Sequence, residues 1–211
     1  MPPLTMPPDR RTTRSRLVVG LLGLMFVLGA GESVRAPSIA SEPLPSAAVQ
    51  QVALQPGHLS VTGENGTYKG QVLVQAPAET VWKVLTDYGN FKDFMPDIAE
   101  SKMISSQGNQ KVYEQVNVFR VLAFSKQARV RLAATETYPN QVAFKVVQGD
   151  VDSLQGTWTL TSPAPGQVLI SHEVTVIPKA SDNKNLFYGI YKNSLKKTLL
   201  AVRKETERRS Q

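Results

Sequence analysis

Three titratable side chains interrupt otherwise apolar alternations in this chain. Glu114 shares a two-residue period with Val112, Val116 and Val118; Glu136 falls in step with Val130, Leu132 and Ala134; His172 falls in step with Val168, Ile170, Val174 and Val176. In a half-buried strand one face is apolar, so a charge on that face is the informative exception. A buried polar group without a partner costs roughly 1–3 kcal/mol, which means that each of these groups should have one. That partner is either the polar head of a ligand or something ordinary: water at a strand end, or Arg120, Arg129 or Arg131 nearby. Glu114 and His172 facing one cavity would also suffice as a proton donor and acceptor for cyclisation or dehydration, where a positioned acid or base gives roughly 100- to 10,000-fold. Nothing in the sequence shows that they meet.

Aromatic residues supply the second signal. Trp158, within Gly156-Thr157-Trp158-Thr159-Leu160, shares a face with Leu154 and Leu160, and with Phe144 it is expected to form the floor of a pocket. Phe187 and Leu195 belong to an apolar stripe near the C-terminus, where Tyr188 and Tyr191 add hydroxyls that reach either a ligand or the rim. The candidate ligand-binding set is therefore Glu114, Phe144, Trp158, His172, Phe187, Tyr188, Tyr191 and Leu195. No catalytic residue, metal ligand or cofactor is assigned. The chain has no cysteine, which excludes thiolate chemistry, and only two histidines, His58 and His172, so a histidine-rich metal site is not expected. There is no nucleophile elbow, phosphate loop or His-Glu-x-x-His.

These residues need elements to hold them. From Asn183 to about Arg209 the chain has no proline, and Leu186, Phe187, Ile190, Tyr191, Ser194, Leu195, Thr198, Leu199 and Val202 recur at helical spacing. This predicts one amphipathic helix roughly 40 Å long, capped by Asp182 or Asn183. Its apolar stripe needs a cover of matching length. Upstream, a strand over Tyr68–Gln75 leads to Pro77 and a short helix over Ala78–Leu85. A second apolar turn at Phe91, Phe94 and Met95 ends at Pro96. Period-two strands then follow at about Ile98–Ser106, Lys111–Val118, Phe124–Thr137, Gln141–Gln148, Ser153–Ser162 and Gln167–Pro178. Gly108-Asn109, Pro139-Asn140, Gly149-Asp150 and Pro163–Gly166 punctuate them, and links this short force antiparallel neighbours. The expected class is α+β, with one curved antiparallel sheet covered by the C-terminal helix.

The N-terminus reads differently. Arg10, Arg11, Arg14 and Arg16 precede an uncharged run from Leu17 to Gly31, followed by Ser38-Ile39-Ala40 as a small-x-small cleavage site. Residues 1–40 are expected to be an export signal to a periplasmic or equivalent non-cytoplasmic compartment, with an uncleaved membrane anchor as the alternative. Residues 41–66, with Pro43, Pro45 and Pro56, read as a linker, and 67–209 as the folded domain. The formal charge of +7 is unevenly spread. From Asn183 onward eight Lys and Arg stand against Glu205 and Glu207. That basic face is either simply solvated or attracted to an anionic membrane surface. It lacks the interleaved aromatics of a nucleic-acid reader.

The run Ala76-Pro77-Ala78-Glu79-Thr80-Val81-Trp82-Lys83-Val84-Leu85-Thr86-Asp87-Tyr88, followed by Phe91-Lys92-Asp93-Phe94-Met95-Pro96, resembles the START-like (SRPBCC) superfamily of helix-grip proteins. It is most similar to the branch labelled polyketide cyclase/dehydrase, which includes coenzyme-Q-binding proteins. The resemblance spans about Tyr68 to Glu207. It implies a seven-stranded sheet wrapped around the C-terminal helix, with two short helices after the first strand and a cavity for a lipid, isoprenoid quinone or polyketide. The expected function is to bind and carry or shield such a molecule. The alternatives are a cyclase or dehydratase acting in the same cavity, and an interaction module using the basic helix face.

Overall fold

The computed structural model describes residue 55 and residues 57–121 and 124–211. Residues 1–40, and most of the stretch read as a linker, lie outside them. The described residues fall in the second of two units into which the chain divides, Gln50–Gln211. Element order is β1 (Leu59–Glu64), β2 (Thr67–Gln75), α1 (Ala78–Leu85), α2 (Phe91–Phe94), β3 (Ile98–Gln107), β4 (Gln110–Val121), β5 (Phe124–Thr137), β6 (Gln141–Gly149), β7 (Val151–Ala164), β8 (Gln167–Pro178) and α3 (Lys184–Arg209). The strands form one antiparallel sheet in the order β1-β2-β8-β7-β6-β5-β4-β3. The meander from β3 to β8 thus returns the chain to the side of β2, and α3 covers the inner face. This is the helix-grip architecture that the sequence implies.

The sheet has eight strands rather than seven. The additional one, β1, lies inside the stretch read as a linker. Asn65 and Gly66, both at positive φ (52° and 90°), make the tight two-residue turn that an Asn-Gly pair favours. The turn folds β1 back onto β2 in register from Glu64 opposite Thr67 to Leu59 opposite Val72. Only Leu59 and Val61 reach the core from β1, too few to show a period among the surrounding prolines and polar residues. Pro77, in extended conformation, is the cap residue before α1, which spans Ala78–Leu85 as the sequence predicts.

The C-terminal helix is capped as its sequence suggests: the Leu186 amide donates to Asn183 Oδ1 at 3.0 Å. Its burial is lopsided. Leu195, Leu199, Val202 and Thr206 are buried, whereas Leu186 is 50% exposed and Phe187, Ile190 and Tyr191 are half-buried. The C-terminal half seats closely because β2 offers no side chain at Gly70, where a Cβ would fall 2.5 Å from Leu199 Cδ1. Arg209 ties the end of the helix to Asp87 at 2.8 Å and to Glu205 at 2.7 Å. Among the described residues no helix is long and apolar enough to cross a membrane.

Candidate functional site

Between the N-terminal half of α3 and the inner sheet face the protein leaves a void. It is a cavity of about 150 Å³. Its floor is Phe144, Trp158 and His172; one wall is Tyr88, Phe91 and Tyr113; Phe187, Tyr191 and Leu195 roof it from α3. Floor and wall come from the strand register. Trp158 stands opposite His172 across β7 and β8 and opposite Val142 across β6 and β7, while Phe144 stands opposite Gly156. A Cβ at Gly156 would come within 2.8 Å of Phe144 Cζ, so the glycine gives that ring its place.

The floor is a stack. Trp158 and His172 have ring centroids 3.8 Å apart at 23°, and Phe144 lies 5.6 Å from His172 at 16°. His172 is 4% exposed, and its Nδ1 lies 3.2 Å from the Thr157 carbonyl. Burial in this apolar wall lowers its pKa to about 3, so the ring is neutral at ordinary pH. The carbonyl can only accept, which puts the hydrogen on Nδ1 and leaves Nε2 as an acceptor. Tyr88 and Tyr113 stack at 4.5 Å, and Tyr88 donates to Glu136 Oε1 at 2.9 Å. That pair answers the Glu136 anomaly in the sequence with an internal hydrogen bond. Burial raises the pKa values of Tyr113 and Tyr191, so both keep their phenolic hydrogens.

A second pocket, about 260 Å³, opens beside the first under the start of α3. Phe119, Ala128, Phe187 and Tyr191 line both, so a thin partition separates them. Leu186 and Ile190 give the outer pocket an apolar side. A furrow of about 870 Å³ crosses the opposite sheet face, where Lys69 and Glu173 pair at 2.8 Å; it is open to water, and charged side chains in its lining alternate with Val112, Ala133 and Ala143.

The structure brings six of the eight sequence candidates to the inner cavity: Phe144, Trp158, His172, Phe187, Tyr191 and Leu195. Two do not belong there. Glu114 lies on the outer face of the sheet, where Arg129 Nη1 reaches Oε1 at 2.8 Å, Arg131 Nη2 reaches Oε2 at 2.9 Å and Lys102 Nζ stands 3.3 Å away. The two guanidinium groups, Arg131 first, hold its pKa down at about 2. Tyr188 points to the side of α3 facing the β1–β2 turn, where its ring would meet a Cβ at Gly66 within 2.9 Å. The pairing of Glu114 with His172 as acid and base is therefore ruled out, since the two occupy opposite faces of one sheet.

Sequence reasoning passed over Gln115, Asn117 and Tyr113, which β4 turns inward. The signal was present but inverted. On β4 the valines alternate on the outer face, beside Arg129 and Arg131, and the polar residues face the cavity.

A family model described as polyketide cyclase / dehydrase and lipid transport matches residues 74–201. No curated protein matches the sequence. Among solved structures, the Zhui aromatase/cyclase from Streptomyces sp. R1128 superposes with a TM-score of 0.61 at 16% identity, covering 73% of this chain and 97% of that one. A STAR-related lipid transfer protein from Xanthomonas axonopodis gives 0.59 at 20% identity, covering 72% and 99%. Human STARD10 gives 0.51 at 15% identity, covering 70% and 73%. At these identities the similarity is one of fold.

Proposed function

This chain belongs to the polyketide cyclase/dehydrase and lipid transport family, and from that premise we propose that it binds a hydrophobic small molecule under α3 and carries or shields it. The observation that carries the reading is the aromatic cavity left unfilled between helix and sheet, continuous in its walls with an apolar outer pocket. Ligand sites generally span about 300–1,000 Å³. The inner cavity alone takes the head of such a molecule, and the outer pocket receives its tail. Carriage accords with the loss of the Glu114 and His172 pair, on which the cyclase alternative rested. It also accords with the lipid-transfer relative in Xanthomonas, whose fold this chain shares.

Mass spectrometry of organic extracts of protein purified from its native host tests the reading. A reproducible apolar compound near one equivalent is expected, and recovery of detergent alone across several preparations overturns it. Export and membrane proximity complete the proposal. Residues 1–40 act as the signal, and Lys184, Lys192, Lys196 and Lys204, exposed along α3, add about 1 kcal/mol each near an anionic bilayer. N-terminal sequencing of the mature protein should begin just after Ala40.

A further inference from the structure

Polar groups in this core are unequally served. Glu136 is answered by Tyr88, Ser194 by Asp97 at 2.7 Å, and Ser101 by the Tyr88 carbonyl. Groups that face the void are not. Gln115, 9% exposed, points from β4 into the inner cavity, and its amide meets no partner among the described residues. His172 also lines the cavity, and its Nε2, left as an acceptor by the Nδ1 bond to Thr157, has no hydrogen-bond donor among the described residues. Tyr113 and Tyr191 bring hydroxyls to the same lining. The fully enclosed side-chain atoms without a partner among the described residues are Arg131 Nε and Arg203 Nε, away from the cavity; the groups named above instead border open space, so a guest in the hollow is the partner left to them.

From these groups we infer that the ligand's head is a neutral hydroxylated ring, a phenol or hydroquinone, whose hydroxyl donates to His172 Nε2 and whose other edge faces Gln115 and Tyr113. The inference rests on the carrier reading and narrows it. Size, shape and charge all support it. A dry cavity of about 150 Å³ in another protein accepts a benzene molecule, so the inner space takes one ring and the tail must lie elsewhere. Phe144, His172 and Trp158, stacked on one another with planes 16° and 23° apart, make an aromatic floor on which a ring packs favourably. Among the described residues no Lys or Arg lines the cavity, and the one charged lining residue, Asp97, is occupied at the rim by Ser194 and Lys197. A carboxylate or phosphate head would have no cation to meet there. A quinone or an ether would leave Nε2 unanswered, because neither donates a hydrogen.

The test titrates the full-length chain with 4-nonylphenol, its methyl ether 4-nonylanisole and dodecanoate, following tryptophan fluorescence. The phenol should bind at least about tenfold tighter than the ether, the discrimination expected when a buried acceptor loses its donor. In His172→Phe, which keeps a ring in the stack, the two affinities should fall within about twofold. Gln115→Leu should weaken the phenol more than the ether, and it provides a second variant if the first folds poorly. Equal affinities for phenol and ether in the wild-type chain, or dodecanoate binding as tightly as the phenol, would overturn the head-group assignment while leaving carriage intact. Failure of all three to bind would remove carriage as well.

Discussion

A neutral histidine locked in an aromatic wall makes stability depend on pH in a window where few other groups act. The pKa of His172 is lowered from 6.5 to about 3 by burial, so between those values the unfolded chain binds a proton that the folded chain refuses. Stability is therefore greatest above about pH 6.5 and falls with acidification, at roughly 1.4 kcal/mol per pH unit if the histidine acts alone. Glu114 and Glu205, both held at about 2 by neighbouring arginines, add their own losses only lower, as pH falls from about 4.5 toward 2. Chemical denaturation at pH 6.5 and pH 5 should show the slope in the wild-type chain, and His172→Phe should flatten it. Glu114→Gln should do the opposite of what its place among the valines suggested. It should lower the melting temperature, by uncoupling Arg129, Arg131 and Lys102, and leave ligand affinity unchanged in a fluorescence titration. The histidine was legible in the sequence because its neighbours on β8 are all buried aliphatics. The glutamate misled because the faces of β4 are exchanged: a strand beside a cavity turns its polar residues inward, and the rule that apolar means inside fails where the inside is hollow.

At the scale of elements, the glycines on the inner face determine how close the layers come. Gly70 admits Leu199 of α3, and Gly156 admits Phe144. The two differ in what a methyl would strike. At Gly70 it meets the end of a leucine side chain, whereas at Gly156 it also meets the Glu173 carbonyl, backbone held in the β7–β8 ladder. Gly156→Ala should thus cost more than Gly70→Ala, within the range of about 1–3 kcal/mol that overpacking takes, and it should weaken ligand binding by displacing Phe144. Urea unfolding of both variants checks the order. Along α3 the same reasoning predicts a gradient: Leu199→Ala, at a fully buried position, should lose about 2–5 kcal/mol, and Leu186→Ala, half exposed, about 0.5 kcal/mol or less. Most element boundaries were legible because turn residues and a change of period mark them. The first strand was not, since its place in the sheet is decided by a hairpin turn and two side chains rather than by any run of its own.

For the molecule as a whole, the division of the space under α3 into two pockets carries a kinetic consequence. Phe187 and Tyr191 stand in the partition, with rings stacked at 6.1 Å and 17°, and Tyr191 rests on Tyr68 at 5.8 Å. Tyr191 is thus held from both sides, while Phe187 lies nearer the lightly buried start of the helix. A ligand longer than one ring has to displace Phe187 to occupy both spaces, so entry and exit wait on the opening of that turn, and side-chain and helix-end movements of this kind set rates more than affinities. The distal half of α3, anchored by Leu199 in the core and by Arg209 on Asp87, stays in place while this happens. Phe187→Ala should merge the two pockets. Stopped-flow fluorescence should then show association and dissociation of 4-nonylphenol both faster by about tenfold or more, with Kd shifting far less because the head still meets His172. Because the partition is remote from the core of the distal half, the melting temperature should fall less than in Leu199→Ala. A Phe187→Ala protein with unchanged rates would mean that ligands enter by another route, most directly between β4 and the α2 turn, where Phe91, Met95 and Ile98 line the same cavity.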